Sequence, residues 1–317
     1  MKPLKYLFIS SMLFVATSCG NSWLDLEPST SVDTETSIKI LSDVEFTLNG
    51  IYSTMQSSDA YSGRLVYYGD VTGDDMQAVS STKRVANYYR FNFTKDDNPS
   101  SHWSYLYSII QNCNLILMNI DKLVIDEDDK AYRDDLKGEA LAIRGLALFD
   151  LTRIFGYPYL KDNGASLGVP IIEGLSTIDS KPTRNTVAQC YTKIIDDLTQ
   201  SLSLLGEKFN KGKINKWGAM VLLSRVYLYK GENANALKMA SDAIIGAEKN
   251  KYALWTNEDY PTAWGEDASA SKPGEVLFEI VNLTTDSPGK ESMGYLNSYD
   301  GYDDMCITCS FYQFLKE

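Results

Sequence analysis

Residues 138–160 read GEALAIRGLALFDLTRIFGYPYL, and this stretch decides the fold. Leu136, Ala140, Ile143, Ala147, Leu151 and Ile154 recur every three or four residues, the period of one face of an α-helix. Ala140, Ala142, Gly145 and Ala147 keep part of that helix small, so that a neighbouring helix can approach closely. The same period recurs elsewhere. Leu41, Val44, Leu48, Ile51 and Met55 form one stripe, and Trp103, Leu106, Ile110, Cys113, Leu117 and Ile120 form another. A further stripe runs through Val187, Tyr191, Ile194, Leu198, Leu202 and Leu205. It opens on Thr186 with Gln189 three residues on, the spacing of a capping box.

Two more helices are expected at about Lys216–Lys230 and Ala234–Gly246, separated by Gly231. Leu223, Ser224, Tyr227, Gly231, Ala236, Ala240 and Ala243 fall at the spacing of a tetratricopeptide helix pair. Strand alternation is scarce, and EVLFEIV at Glu275–Val281 is its best case. The fold class is therefore mainly α: a tetratricopeptide-like stack of helix pairs with long loops and few short strands. The expected loops, 57–100, 155–185 and 250–273, are long enough to carry function.

The N-terminus reads as an address. Lys2 and Lys5 precede an apolar run from Tyr6 to Val15, too short to span a bilayer but suited to a secretory signal. Ala16, Thr17 and Ser18 then lead to Cys19, a lipobox-like arrangement in which Cys19 is the lipidation point. Acyl chains there would anchor the protein to a membrane without a spanning helix. The expected divisions are a signal peptide at 1–18, a lipidated tether at 19–36, a helical domain at 37–281 and a loop-rich portion at 282–317.

The 317 residues carry 30 basic and 42 acidic side chains, a formal charge of −12, which becomes −14 once Lys2 and Lys5 are cleaved away. That balance argues against nucleic-acid binding. The single His excludes a His-rich metal site. CITC at Cys306–Cys309 lacks the second ligand pair of a zinc site, and the acid run Asp126–Asp129 reads as a solvated helix start. Cys113 and Cys190 fall on helix faces as buried thiols. Acids are too plentiful for a hydrolytic pair to stand out, and no cofactor motif is present.

Several segments together resemble the SusD/RagB family of surface lipoproteins. They are WLDLEPST (23–30), the 138–160 helix with its Phe-Gly turn, RNTVAQCYTKIIDDL (184–198), NKWGAMVLLSRVYLYKG (215–231) and GEVLFEI (274–280). The resemblance implies a non-enzymatic protein on the outer membrane at the cell surface. Such a protein captures oligosaccharide, or in some members peptide, for a SusC-like TonB-dependent transporter. A structural transporter-associated lipoprotein that binds no ligand is the alternative. Members continue well past GEVLFEI, so the chain resembles a short or C-terminally truncated member.

Candidate ligand residues follow from sugar chemistry, which uses flat aromatic faces together with carboxylates, amides and Arg. YYGDVTGDDMQAVSSTKRVANYYRF (67–91) supplies Asp70, Asp74, Asp75, Arg84, Asn87, Tyr88 and Tyr89. GYLNSYDGYDD (294–304) adds Tyr295, Tyr299 and Tyr302, although a loose chain end is its plainer reading. Trp255, Tyr260 and Trp264 are read mainly as packing groups, as is Trp103.

Overall fold

The computed structural model describes residues 37–92, 94, 99–177, 179–263, 274–283 and 285–317. The expected signal peptide, Cys19, the expected tether to residue 36 and Trp264 lie outside the described residues. The body from Ile40 to Glu317 is one compact unit. Its long helices are α1 (Leu41–Met55), α2 (Arg64–Thr72), α3 (Pro99–Asn119), α4 (Lys130–Phe155), α5 (Val187–Leu204), α6 (Lys216–Lys230) and α7 (Asn233–Lys249). From α3 to α7 each helix packs on the next in chain order, and α1 closes against α3 and α4. This is the expected stack of helix pairs.

Local chemistry explains the helix limits. The Thr186 hydroxyl accepts from the Gln189 amide at 3.2 Å, and the Gln189 side chain accepts from the Thr186 amide at 2.8 Å. The Asn215 side chain caps α6 by accepting from the amides of Trp217 and Gly218, both at 3.1 Å. Gly231, at φ +84°, ends α6 in the left-handed conformation that glycine adopts without a Cβ clash. The acid run does lie at a helix start, as one tight turn (Glu127–Asp129) ahead of α4.

Helix α4 is the centre of the stack, buried on nearly every face from Leu136 to Thr152. A Cβ added at Gly145 would sit 3.0 Å from Leu198, so the missing side chain is what lets α4 and α5 approach. Three charged residues are buried on α4: Glu139, Arg144 and Asp150. Burying a charge is costly unless it is partnered, and each of the three has a partner. Tyr52 donates to Glu139 at 2.6 Å. Arg144 donates to both carboxylate oxygens of Asp197, at 2.8 and 2.6 Å. Tyr61 donates to Asp150 at 2.7 Å, and Arg153 also reaches that carboxylate.

Two expectations are corrected. Glu275–Val281 does not form a strand; it runs irregularly, with Leu277 on the Trp217 cluster and Phe278 close to Gly218. β-Branched and aromatic content alone cannot make a strand, which needs a partner for its backbone groups. The 57–100 region is not one long loop either. It holds α2, the strand β1 (Met76–Ala78) and a helical turn (Ala86–Tyr89). β1 pairs antiparallel with β2 (Met305–Ile307), in the register Met76 to Ile307, Gln77 to Cys306 and Ala78 to Met305.

Candidate functional site

The β1–β2 pair brings together the two Tyr-rich segments of the sequence. The Thr308 amide donates to the Asp75 carbonyl at 3.0 Å and its hydroxyl to the Asp74 carbonyl at 2.8 Å, which locks the far end of the ladder. Beneath it, Tyr67, Val71, Val85, Tyr88, Leu296 and Met305 form one small hydrophobic core. GYLNSYDGYDD is thus no loose end. Met293–Asn297 is a helical turn capped by Ser292, and the Tyr302 and Asp304 amides return to the carbonyls of Tyr295 and Leu296.

Above that core lies a charged aromatic group. The Arg84 guanidinium sits 3.9 Å from the centre of the Tyr302 ring, a cation–π contact. Tyr302 meets Tyr295 edge to face, with ring centres 5.1 Å apart and planes at 83°. Glu291 holds Arg84 from the other side at 3.2 and 3.3 Å. The buried Asp304 carboxylate lies 4.0 Å from the Arg84 Nε. Burial raises the Asp304 pKa, and Arg84 pulls part of that rise back. Lys83 donates to the Tyr302 carbonyl and pins the same residue from its backbone.

The structure sorts the sequence candidates. Asp70, Asp74, Asn87, Tyr89 and Tyr299 are exposed, Tyr299 at 89%, whereas Asp75, Arg84 and Tyr295 are half-buried. Burial and the neighbouring Asp75 charge both raise the Asp70 pKa, so these two acids share one patch. Tyr88 is 1% exposed and packs edge-on to Tyr68 with ring centres 5.3 Å apart. Its ring serves the core of the module and is not a platform open to ligand. Arg84 and Tyr295 are joined through Tyr302. Among the described residues, no hydrogen bond, ion pair or ring contact joins Tyr89 or Tyr299 to that group.

Glu291 and Arg64 were not singled out from the sequence. Arg64 pairs with Asp59 and lies 3.6 Å from Glu291. Nothing local marks a pair separated by more than 200 residues, so only the fold could disclose the Arg84–Glu291 contact. Cys306 lies on β2 beside Gln77 and Cys309 is exposed; both are free thiols. Trp255 and Tyr260 pack on one another at 6.1 Å, and the half-buried Trp103 packs on Tyr107 and Phe155. Among the described residues, no cluster of His, Cys, Asp and Glu is arranged to hold a metal.

A concave feature adjoins the module. It is a cleft of about 1090 Å³ whose walls include Tyr61, Tyr68, Asp150, Arg153, Arg225 and Phe278. Helix α2 lines it with Leu65, Tyr68 and Thr72 and places Tyr67 and Val71 in the small core under the aromatic group.

Residues 22–228 match a family described as "Starch-binding associating with outer membrane". A SusD-like protein of Formosa agariphila is 28% identical over 313 residues, covering 95% of this chain and 57% of its own length. A Bacteroides vulgatus ATCC 8482 crystal structure, provisionally described as a sugar-binding protein, is 82% identical. It superposes with a TM-score of 0.86 over 89% of this chain and 63% of its own. A SusD superfamily protein of the same organism gives 38% identity and a TM-score of 0.82, over 88% of this chain and 63% of its own. This chain spans less than two thirds of the length of each of these relatives.

Proposed function

The chain belongs to the SusD-like family, and from that premise we propose that it is a non-enzymatic binding protein that captures oligosaccharide at the Arg84–Tyr302–Tyr295 group and passes it to a partner TonB-dependent outer-membrane transporter. The observation that carries this reading is the convergence of that group from segments more than 200 residues apart. A pyranose presents an apolar face that an aromatic ring can cover. It also presents hydroxyl pairs that a guanidinium or a carboxylate can bind through two hydrogen bonds.

Tyr295 and Tyr302 offer the aromatic surface, Arg84 the donor fork, and Asp70, Asp74 and Asp75 the acceptors near β1. Tyr89 and Tyr299 extend the contact to further sugar units. The Arg84 fork is fixed beforehand by Glu291 and Tyr302, so little conformational freedom is lost on binding. The starch-binding description of the family and the sugar-binding description of the 82%-identical relative support this ligand class. Anchoring by acylation at Cys19 and exposure at the cell surface complete the proposal.

The test is calorimetric titration of the full chain with a panel of oligosaccharides that includes maltoheptaose. Arg84→Met removes charge-assisted hydrogen bonds worth about 1.5–3 kcal/mol and should weaken binding at least about tenfold. The absence of heat with every sugar, or unchanged affinity in Arg84→Met, would contradict the proposal.

A further inference from the structure

The chain has one histidine, His102, on the first turns of α3. It is 0% exposed, and its Nδ1 lies 2.8 Å from the carbonyl oxygen of Asp59. A carbonyl can only accept, so Nδ1 carries the proton, and in the neutral ring Nε2 is then a bare acceptor. That buried Nε2 has no hydrogen-bond partner among the described residues. The ring stacks on Tyr88 with centres 6.5 Å apart and planes at 21°, and meets Tyr68 edge-on at 6.0 Å. Tyr88 in turn belongs to the core beneath the aromatic group.

A proton added to His102 would meet an environment built for a neutral ring. The new charge would be buried, and a second N–H would appear at a nitrogen that has no hydrogen-bond partner among the described residues. Among the described residues, the charged groups facing His102 are Asp59, from the α1–α2 connection, and Arg64, on α2; the facing phenols are Tyr68 and Tyr88. Asp59 is also the first member of a continuous chain of contacts. It pairs with Arg64, Arg64 approaches Glu291 at 3.6 Å, Glu291 binds Arg84, and Arg84 lies on Tyr302. A change at His102 therefore enters both the packing under the site and the ionic chain that orients its guanidinium.

We propose that His102 is an acid-sensitive positioning residue: neutral, it holds the Tyr68–Tyr88 layer and the Asp59–Arg64–Glu291–Arg84 chain in place beneath Tyr302, and protonated, it releases them together with the bound sugar. Only the sugar step of this proposal rests on the function proposed above. The direction follows from linkage. Burial pushes the His102 pKa below its ordinary value, an effect that the Asp59 carbonyl and carboxylate oppose and the Arg64 charge reinforces. A group with a depressed histidine pKa stabilises its surroundings fully above the unfolded value. That stabilisation is lost as pH falls through the folded value. The module therefore loosens on acidification. One proton limits the effect to about tenfold per pH unit.

Because His102 is the sole histidine, its ring resonances in a 1H–13C NMR titration of the full chain need no assignment. The expected result is a midpoint below that of the unfolded chain, with amides of 64–72 and 86–89 losing hydrogen-exchange protection over the same pH range. His102→Asn supplies a neutral N–H toward the Asp59 carbonyl and cannot be protonated. It should keep that protection, and should keep maltoheptaose affinity from pH 7 down to about pH 5, while the parent protein weakens. An unshifted midpoint, protection that does not follow the histidine, or identical acid profiles in the two proteins would overturn the proposal. If neither protein binds sugar at any pH, the sugar reading falls, and the NMR and exchange measurements still decide the role of His102. If His102→Asn does not fold, the coincidence of titration and exchange in the parent protein decides it.

Discussion

Replacing Asp197 by Ala tests how the helix stack tolerates charge at its centre. The Asp197 side chain is fully buried and that of Arg144 is 9% exposed. Asp197 receives two of the three hydrogen bonds that Arg144 makes, the third going to Asn114 at 2.9 Å. Asn114 itself donates to the carbonyls of Ile172 and Gly174 at 2.8 and 3.0 Å, so the network ties α3, α4 and α5 to the long connection before α5. Lys193 also reaches Asp197 at 3.3 Å, but it has Glu173 at 3.0 Å as an alternative partner. Burial works against the Arg144 charge, and the hydrogen bonds and charge of Asp197 more than restore it, leaving its pKa above the ordinary value. Asp197→Ala therefore leaves a buried guanidinium without its counter-ion, at a cost of about 3–5 kcal/mol. For a domain of this size that lowers the melting temperature by roughly 10 °C. Calorimetry and urea unfolding would measure both quantities. The double variant Arg144→Met, Asp197→Leu should recover most of the loss, because no charge then remains buried. A loss below about 1 kcal/mol in the single variant would show instead that water or Lys193 can take the place of Asp197, and that the buried guanidinium does not depend on it.

Three further outcomes are expected. Burial raises the Glu139 pKa from 4.5 to about 7 despite the Tyr52 hydrogen bond and the Lys213 charge, so its contribution to stability is full below about pH 4.5 and is lost as pH rises through about 7. Urea unfolding of Glu139→Gln relative to the parent should show a gain for the variant at pH 8 over pH 4.5 of about 3 kcal/mol, and a flat difference would contradict this. Gly246→Ala drives a Cβ into the Trp217 ring and should destabilise by about 1–3 kcal/mol in the same assay, with Trp217→Leu easing the clash. Maleimide labelling of the folded chain should modify the exposed Cys309 quickly and spare Cys113, whose buried thiol is pushed up to about 12.

The helix stack was legible because its signals are local. The stripe on residues 187–205, the Thr186–Gln189 box and the Gly231 break each act within one or two turns, and each reappears in the structure. The candidate site was legible only in composition. Its Tyr, Asp and Arg residues were visible, but not which of them meet. β1 and β2 are three residues long, and their pairing spans more than 200 residues, a distance over which no periodicity carries information. Tyr88 and Tyr89 are neighbours on one helical turn, yet one is buried at 1% and the other is 38% exposed, a division made by Tyr68 and His102 packing from other elements. EVLFEIV misleads in the opposite sense, because strand propensity carries no information on whether a partner strand is present.

Sugar is expected to settle on the aromatic group and not in the neighbouring cleft. The most direct measurement is a crystal structure of the full chain soaked with maltoheptaose. The expected result is sugar rings against Tyr295 and Tyr302 with hydroxyls on Arg84. Sugar lodged in the 1090 Å³ cleft between Tyr61, Arg153 and Phe278, with the Arg84 group bare, would contradict it.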